Sequence, residues 1–190
     1  MKRSPKPTKL HRAPGFVYGY HGCTVEIAKR ILGGESFLVS ENAWDWLGRG
    51  VYFWEYAPFR ANEWAIDRAE RMGAEPAVLE ATIDLGNCLN LLDTEHTFGL
   101  KEAFASFEQQ MLSSRHLRNT GAGAHFLDRF VVDTYCDFIA GRGSRFQTVR
   151  GCFPEGQPFF PSSKILSKAH VQVAVRNAEC IRAVRMVEFT

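Results

Sequence analysis

Apolar and polar positions alternate with a period of two over residues 16–20, the pattern of a half-buried strand, and His21 stands where the chain is expected to turn through Gly22. The period then lengthens. Thr24 is placed to cap a short helix over 25–32, which Gly33 and Gly34 stop. Residues 41–50 show no period and read as a loop ending in Gly48-Arg49-Gly50, before a short aromatic strand over 51–54. Pro58 suits the first turn of a helix running to about Met72, with Ala61, Trp64, Ala65 and Ala69 on one face and Gly73 as its stop. Residues 77–84 form an apolar run typical of a buried strand, Leu85-Gly86-Asn87 a turn, and 88–92 a further extended piece. Helical spacing governs 98–117 and 126–139, separated by a linker over 119–123. Residues 141–163, rich in Gly, Pro and Ser, read as loop with short strand pieces, and 169–176 and 181–189 alternate as strands. Mixed strands with segregated helices predict an α+β fold, one domain over 16–190 behind an arm over 1–15.

Composition narrows this picture. With 190 residues, 45% hydrophobic and 13% aromatic, the chain can bury a real core. The 23 Lys and Arg against 21 Asp and Glu leave a net charge of +2, too little to imply nucleic-acid binding by charge alone. The distribution is less even: Lys2, Arg3, Lys6, Lys9, His11 and Arg12 make the arm basic and able to meet phosphates, or simply a solvated tail. Five cysteines without a C-x-x-C pair, no signal-peptide pattern and no long apolar run point to a cytoplasmic protein with reduced thiols and no membrane partner. Six scattered histidines without ligand spacing predict no metal.

The candidate chemistry lies in Tyr20-His21-Gly22-Cys23 and Gly48-Arg49-Gly50-Val51-Tyr52-Phe53, where glycines beside imidazole and aromatic rings can build a flat slot for a small ligand. Taken in order, the strand ending in His21-Gly22, the following helix, Gly50-Val51-Tyr52-Phe53, the strand through Leu85-Gly86-Asn87, and Gln172 on the penultimate strand form a set. This set resembles the ADP-ribosyltransferases of the diphtheria-toxin and poly(ADP-ribose) polymerase type, over about 16–92 and 165–189, and within them uncharacterised bacterial toxin-like members. The resemblance leaves 97–140 as a helical insertion.

The resemblance implies a split mixed sheet, NAD+ as a substrate and no metal. It implies that His21 holds a ribose hydroxyl and that Tyr52 stacks on nicotinamide with Phe53 beneath. Gly22 and Cys23 would line the carboxamide site, Gln172 would complete the catalytic set, and Arg60 and Trp64 would lie on the cofactor-facing helix. A pyridinium over an aromatic face gains roughly 0.5–2 kcal/mol, and glycine backbone can approach a carboxamide closely. The implied activity is a mono-ADP-ribosyltransferase that cleaves NAD+ and modifies a macromolecule. A bacterial toxin or phage-defence effector with an antitoxin partner is the implied setting.

Two positions depart from the family. The third signature residue is Gln172 and not the polymerases' glutamate, which points away from chain elongation and leaves Glu155 or Glu179 as alternative carboxylates. The helix carries Arg60-Ala61-Asn62-Glu63-Trp64 where a hydroxyl residue and a tyrosine are usual, so Trp64 replaces the second ring only if the helix shifts by one residue. Arg60 is then free to meet a pyrophosphate or to remain solvated.

Other readings stand beside this one. Gln172 makes an inactive NAD- or ADP-ribose-binding module, acting through protein contacts, the main alternative. A Cys-His hydrolase would rest on Cys23 and His170, and a dinucleotide-binding dehydrogenase lacks its glycine fingerprint. Trp44 and Trp46 beside Asp45 suit either a cavity lid or a partner contact. The acceptor stays open between nucleic acid, RNA or DNA, which Arg142, Arg145, Arg150, Arg176, Arg182 and Arg185 with Phe146, Phe153, Phe159 and Phe160 could track, and protein, with those rings in the core.

Overall fold

The computed structural model describes residues 15–42, 44–112, 119 and 125–189. Residues 1–14 of the arm expected over 1–15, the end of the helix expected over 98–117 and most of the 119–123 linker lie outside them.

Strand β1 (Phe16–Thr24) runs straight through His21 and Gly22, which do not form the expected turn. The reason is non-local: β3 (Pro76–Asp84) pairs with it over its whole length, placing His21 opposite Leu79 and Gly22 opposite Val78. Helix α1 (Val25–Leu32) follows at once, its Ile27 amide donating to the Thr24 hydroxyl, and Gly34 takes the positive φ that closes it.

Strand β2 (Val51–Glu55) and helix α2 (Pro58–Met72) come next; α2 buries Ala61, Ala65 and Ala69 and ends on Gly73 in the left-handed region. Strand β4 (Cys88–Asn90) pairs in parallel with β5 (Thr148–Phe153), the one parallel pairing among the described strands. A parallel pair cannot be joined by a hairpin. Helices α3 (Thr94–Leu112) and α4 (Phe126–Ala140) make the crossover, and the Asn119 side chain caps α4 by accepting from the Leu127 and Asp128 amides. Strands β6 (His170–Val175) and β7 (Ile181–Met186) complete a seven-stranded mixed sheet in the order β4-β5-β6-β2-β1-β3-β7. The result is α+β in composition, with one mixed sheet and four α-helices among the described residues.

One face of the sheet carries two apolar clusters, one of Phe53, Ile83, Val173 and Val175 and one of Cys23 and Leu79 under α1. The other face is covered by α2 over Trp54 and Val78, and by α4 with the loop before β2 over Val149 and Ala174. Between β1 and β2 the backbone pairing leaves a seam. The β1–β2 ladder contains Gly19–Glu55 and Tyr20–Trp54, with one more bond from the Tyr56 amide to Tyr18 O, and then stops. Strand β1 continues to Thr24 paired with β3 alone.

Candidate functional site

Past Tyr20 the open edge of β1 faces a cavity of about 630 Å³. His21, Gly22 and Cys23 all line it, although neighbours in a strand point to opposite faces; three consecutive residues share one space only through a free strand edge. Tyr52, Trp54 and Gln172 come from the side of the seam built by β2 and β6, α2 contributes Arg60, Trp64 and Arg68, and residues 35–42 and 44–46 add a further stretch of lining. The sheet therefore brings together the expected His21, Gly22, Cys23, Tyr52, Arg60, Trp64 and Gln172. Phe53 is completely buried behind them and packs on the His21 ring.

His21 bridges the seam. Its Nδ1 lies 2.9 Å from Tyr52 O, occupying the place of a missing ladder bond. A carbonyl only accepts, so Nδ1 carries the proton and Nε2 is left as an acceptor in the neutral ring. Burial, opposed by that bond and assisted by the Arg68 charge, holds the imidazole pKa below its ordinary value. Phe37 and Phe53 fix the ring from two sides.

Tyr52 is anchored at its far end. Its hydroxyl donates to Gly48 O at 2.6 Å and accepts from the Leu47 amide at 3.0 Å, and burial pushes its pKa well above the ordinary range. With the hydroxyl committed, the ring offers a stacking surface and no acid–base group. The loop that holds it is itself clamped: the Arg49 amide and the Arg176 guanidinium both donate to Asp133 of α4, at 3.0 and 2.6 Å, and Arg49 pairs with Asp137. Gly48 sits at φ +78, where a Cβ would lie 2.5 Å from the Asp133 carboxylate.

Gln172 lies directly across from Trp54 on β2 and Gly151 on β5, and its amide has no side-chain partner among the described residues. Of the two alternative carboxylates, Glu155 lines the cavity and accepts from Arg60 at 3.1 Å; Glu179 lies in the short turn of 3-10 helix Ala178–Cys180, away from it. Gly22 has a packing role: a Cβ there would run into Ala61 O and come within 3.0 Å of the Trp64 ring. Trp64 lines the wall, tilted against Trp54 with ring centroids 6.1 Å apart.

Trp44, Asp45 and Trp46 also line the cavity. Asp45 is buried and accepts from Ser40 and the Asn42 amide, which shapes the turn, and Trp46 lies on His125 of the α4 cap with its centroid 3.8 Å away. His170, by contrast, packs on Trp54 and Phe153 outside the lining, and burial pushes the Cys23 thiol up to about 11, which removes the pair required for a cysteine hydrolase.

The arginines expected to track a phosphate backbone are largely committed within the fold: Arg150 to Glu55, Arg176 to Asp133, Arg182 to Asp84 and Arg185 to Glu80. Phe153 is core and Phe146 packs against it, while Phe159 and Phe160 are exposed.

Sequence reasoning missed Arg68 and residues 35–42. Arg68 follows Trp64 by four on the cavity face of α2, a spacing visible in the chain. The 35–42 segment has no local signal.

No protein-family model, curated protein or solved structure matches this chain. Among the described residues no group of three or more His, Cys, Asp or Glu could hold a metal ion, and no helix is long and apolar enough to cross a membrane.

Proposed function

We propose that the chain is a mono-ADP-ribosyltransferase of the diphtheria-toxin and poly(ADP-ribose) polymerase type, which cleaves NAD+ and transfers ADP-ribose to a macromolecule. The observation that supports this most is the convergence of His21, Tyr52 and Gln172, separated by 31 and then by 120 residues, on one cavity at the seam of the sheet. The volume suits a small-molecule site, and its walls combine aromatic faces with polar and charged side chains.

The chemistry follows from these groups. Nicotinamide stacks on the Tyr52 ring, whose hydroxyl is turned away. His21 Nε2 accepts a ribose hydroxyl. As the C–N glycosidic bond breaks, nicotinamide leaves with the bonding electrons and positive charge grows on the ribose. The Gln172 carbonyl accepts from a ribose hydroxyl beside that charge, and an acceptor nucleophile adds to the anomeric carbon and loses its proton to solvent. Gln172 brings no negative charge, and of the two alternative carboxylates Glu155 is the one in the cavity lining, available once Arg60 releases it. Transfer of one ADP-ribose, without elongation, fits this set, as does a toxin or phage-defence effector restrained by an antitoxin.

Nicotinamide release from NAD+ by the wild-type chain, lost in Tyr52→Ala, tests the reading; a gain of one ADP-ribose mass in RNA, DNA or total protein identifies the acceptor. Absence of release with all three acceptors present overturns it. The engagement of Glu155 by Arg60 favours a second reading, a binding module without turnover, for which ADP-ribose binds and no nicotinamide appears.

A further inference from the structure

Arg60, Trp64 and Arg68 follow one another at intervals of four along α2, and all three line the cavity. Eight helical residues advance about 12 Å, so two guanidinium stems rise from one wall with an indole between them. Their states differ. Arg60 is neutralised by Glu63 and Glu155. Arg68 forms no ion pair among the described residues, and its Nε is closed off from solvent without an acceptor.

The acids of the lining are already engaged: Glu35 with Arg30, Glu41 with Arg129, Asp45 with Ser40 and Asn42, and Glu155 with Arg60. The Arg68 charge acts on His21 and Cys23, neither of which offers it a negative charge. A cation with a closed-off donor and no counter-ion is costly in a partly buried wall.

Among the described residues the other unmet atoms of the lining are Trp54 Nε1, Arg60 Nε and His125 Nδ1; the first two are donors, and the His125 ring nitrogen, 3.5 Å from Asp128, is a donor or an acceptor according to its tautomer. A cavity whose unmet needs are mainly N–H groups selects a ligand rich in acceptor oxygens. One carboxylate satisfies one guanidinium fork. Donors spread along a wall of this length match the several oxygens of a phosphate chain, which guanidinium groups bind in bidentate fashion.

We propose that Arg68 is the anion-binding residue of the cavity and that the ligand it receives carries a phosphate or pyrophosphate group. The assignment rests on the proposed reading only in taking this cavity as the ligand site; it does not require that any bond be cleaved.

Calorimetric titration with inorganic pyrophosphate, ADP-ribose and nicotinamide, on the wild type, Arg68→Gln, Arg68→Lys and Arg60→Gln, tests it, with melting curves run on each variant. Pyrophosphate and ADP-ribose are expected to bind the wild type and to weaken at least tenfold in Arg68→Gln, with partial recovery in Arg68→Lys and unchanged nicotinamide binding. Pyrophosphate binding that survives Arg68→Gln, or that is lost only in Arg60→Gln, overturns the assignment. So does a wild type that binds neither anion at millimolar concentration. If Arg68→Gln does not fold, Arg68→Lys decides, since loss of the fork alone is expected to weaken both anions several-fold; equal affinity for the wild type and Arg68→Lys then counts against the assignment. Arg68-dependent pyrophosphate binding without nicotinamide release would retire the transferase and leave this assignment standing.

Discussion

Gly22 keeps α2 seated on β1, because any side chain there meets the helix backbone at Ala61 O. Backbone cannot swing aside as a long side chain can, so Gly22→Ala is expected to cost about 1–3 kcal/mol and to lower Tm by several degrees, read in a thermal melt. Tyr52 separates stacking from proton transfer. Tyr52→Phe keeps the ring and loses the ties to Leu47 and Gly48; it is expected to retain nicotinamide release with a raised KM, whereas Tyr52→Ala abolishes release. The histidines set a pH dependence. Burial lowers the folded pKa of both His21 and His170, so their contribution is complete above the unfolded value of about 6.5. As pH falls below that value the unfolded chain takes up protons that the folded one refuses, and stability is lost until pH passes the folded values. His21→Asn is expected to flatten the dependence of Tm on pH between 6.5 and 5 without removing it, since His170 remains.

At the scale of elements, α4 reaches the site through the loop ahead of β2. Asp133 receives the Arg49 amide and the Arg176 guanidinium, and Arg129 donates to Glu41 O from the next turn of the same helix. On the proposed transferase reading, Asp133→Ala is expected to raise KM for NAD+, because it frees the loop that holds the Tyr52 hydroxyl, and to lower Tm as well, because the nearly buried Arg176 guanidinium loses its carboxylate. Elements with local causes were legible in the sequence. The Thr24 cap, the alanine stripe of α2 and the Gly73 stop depend on residues a few places apart, and each lies where the pattern puts it. The passage of β1 through His21-Gly22 was not legible, because a partner strand, Leu79 opposite His21 and Val78 opposite Gly22, holds it extended from far along the chain. The same distance problem hid the clamp, which joins Arg49 to Asp133 and Asp133 to Arg176. Arg68 was legible as a spacing but not as a need, since only the folded wall reveals that its donor has no acceptor.

For the whole molecule, the seam divides the sheet into β4-β5-β6-β2 on one side and β1-β3-β7 on the other. The backbones of the two halves meet through two ladder pairs and one further bond, joined by the His21 ring, and buried side chains of β2 and β6 pack against Ala81 and Ile83 of β3 across the join. Backbone amides flanking the join are expected to exchange with solvent faster than those of the nine-pair β1–β3 ladder, measurable by hydrogen–deuterium exchange. A ligand lodged against His21 and Tyr52 would touch both halves at once and stitch them together like a rivet through two plates. Occupancy and cohesion of the two halves would then be one quantity: a molecule that fills the cavity should slow exchange along the join, and the more so the tighter it binds.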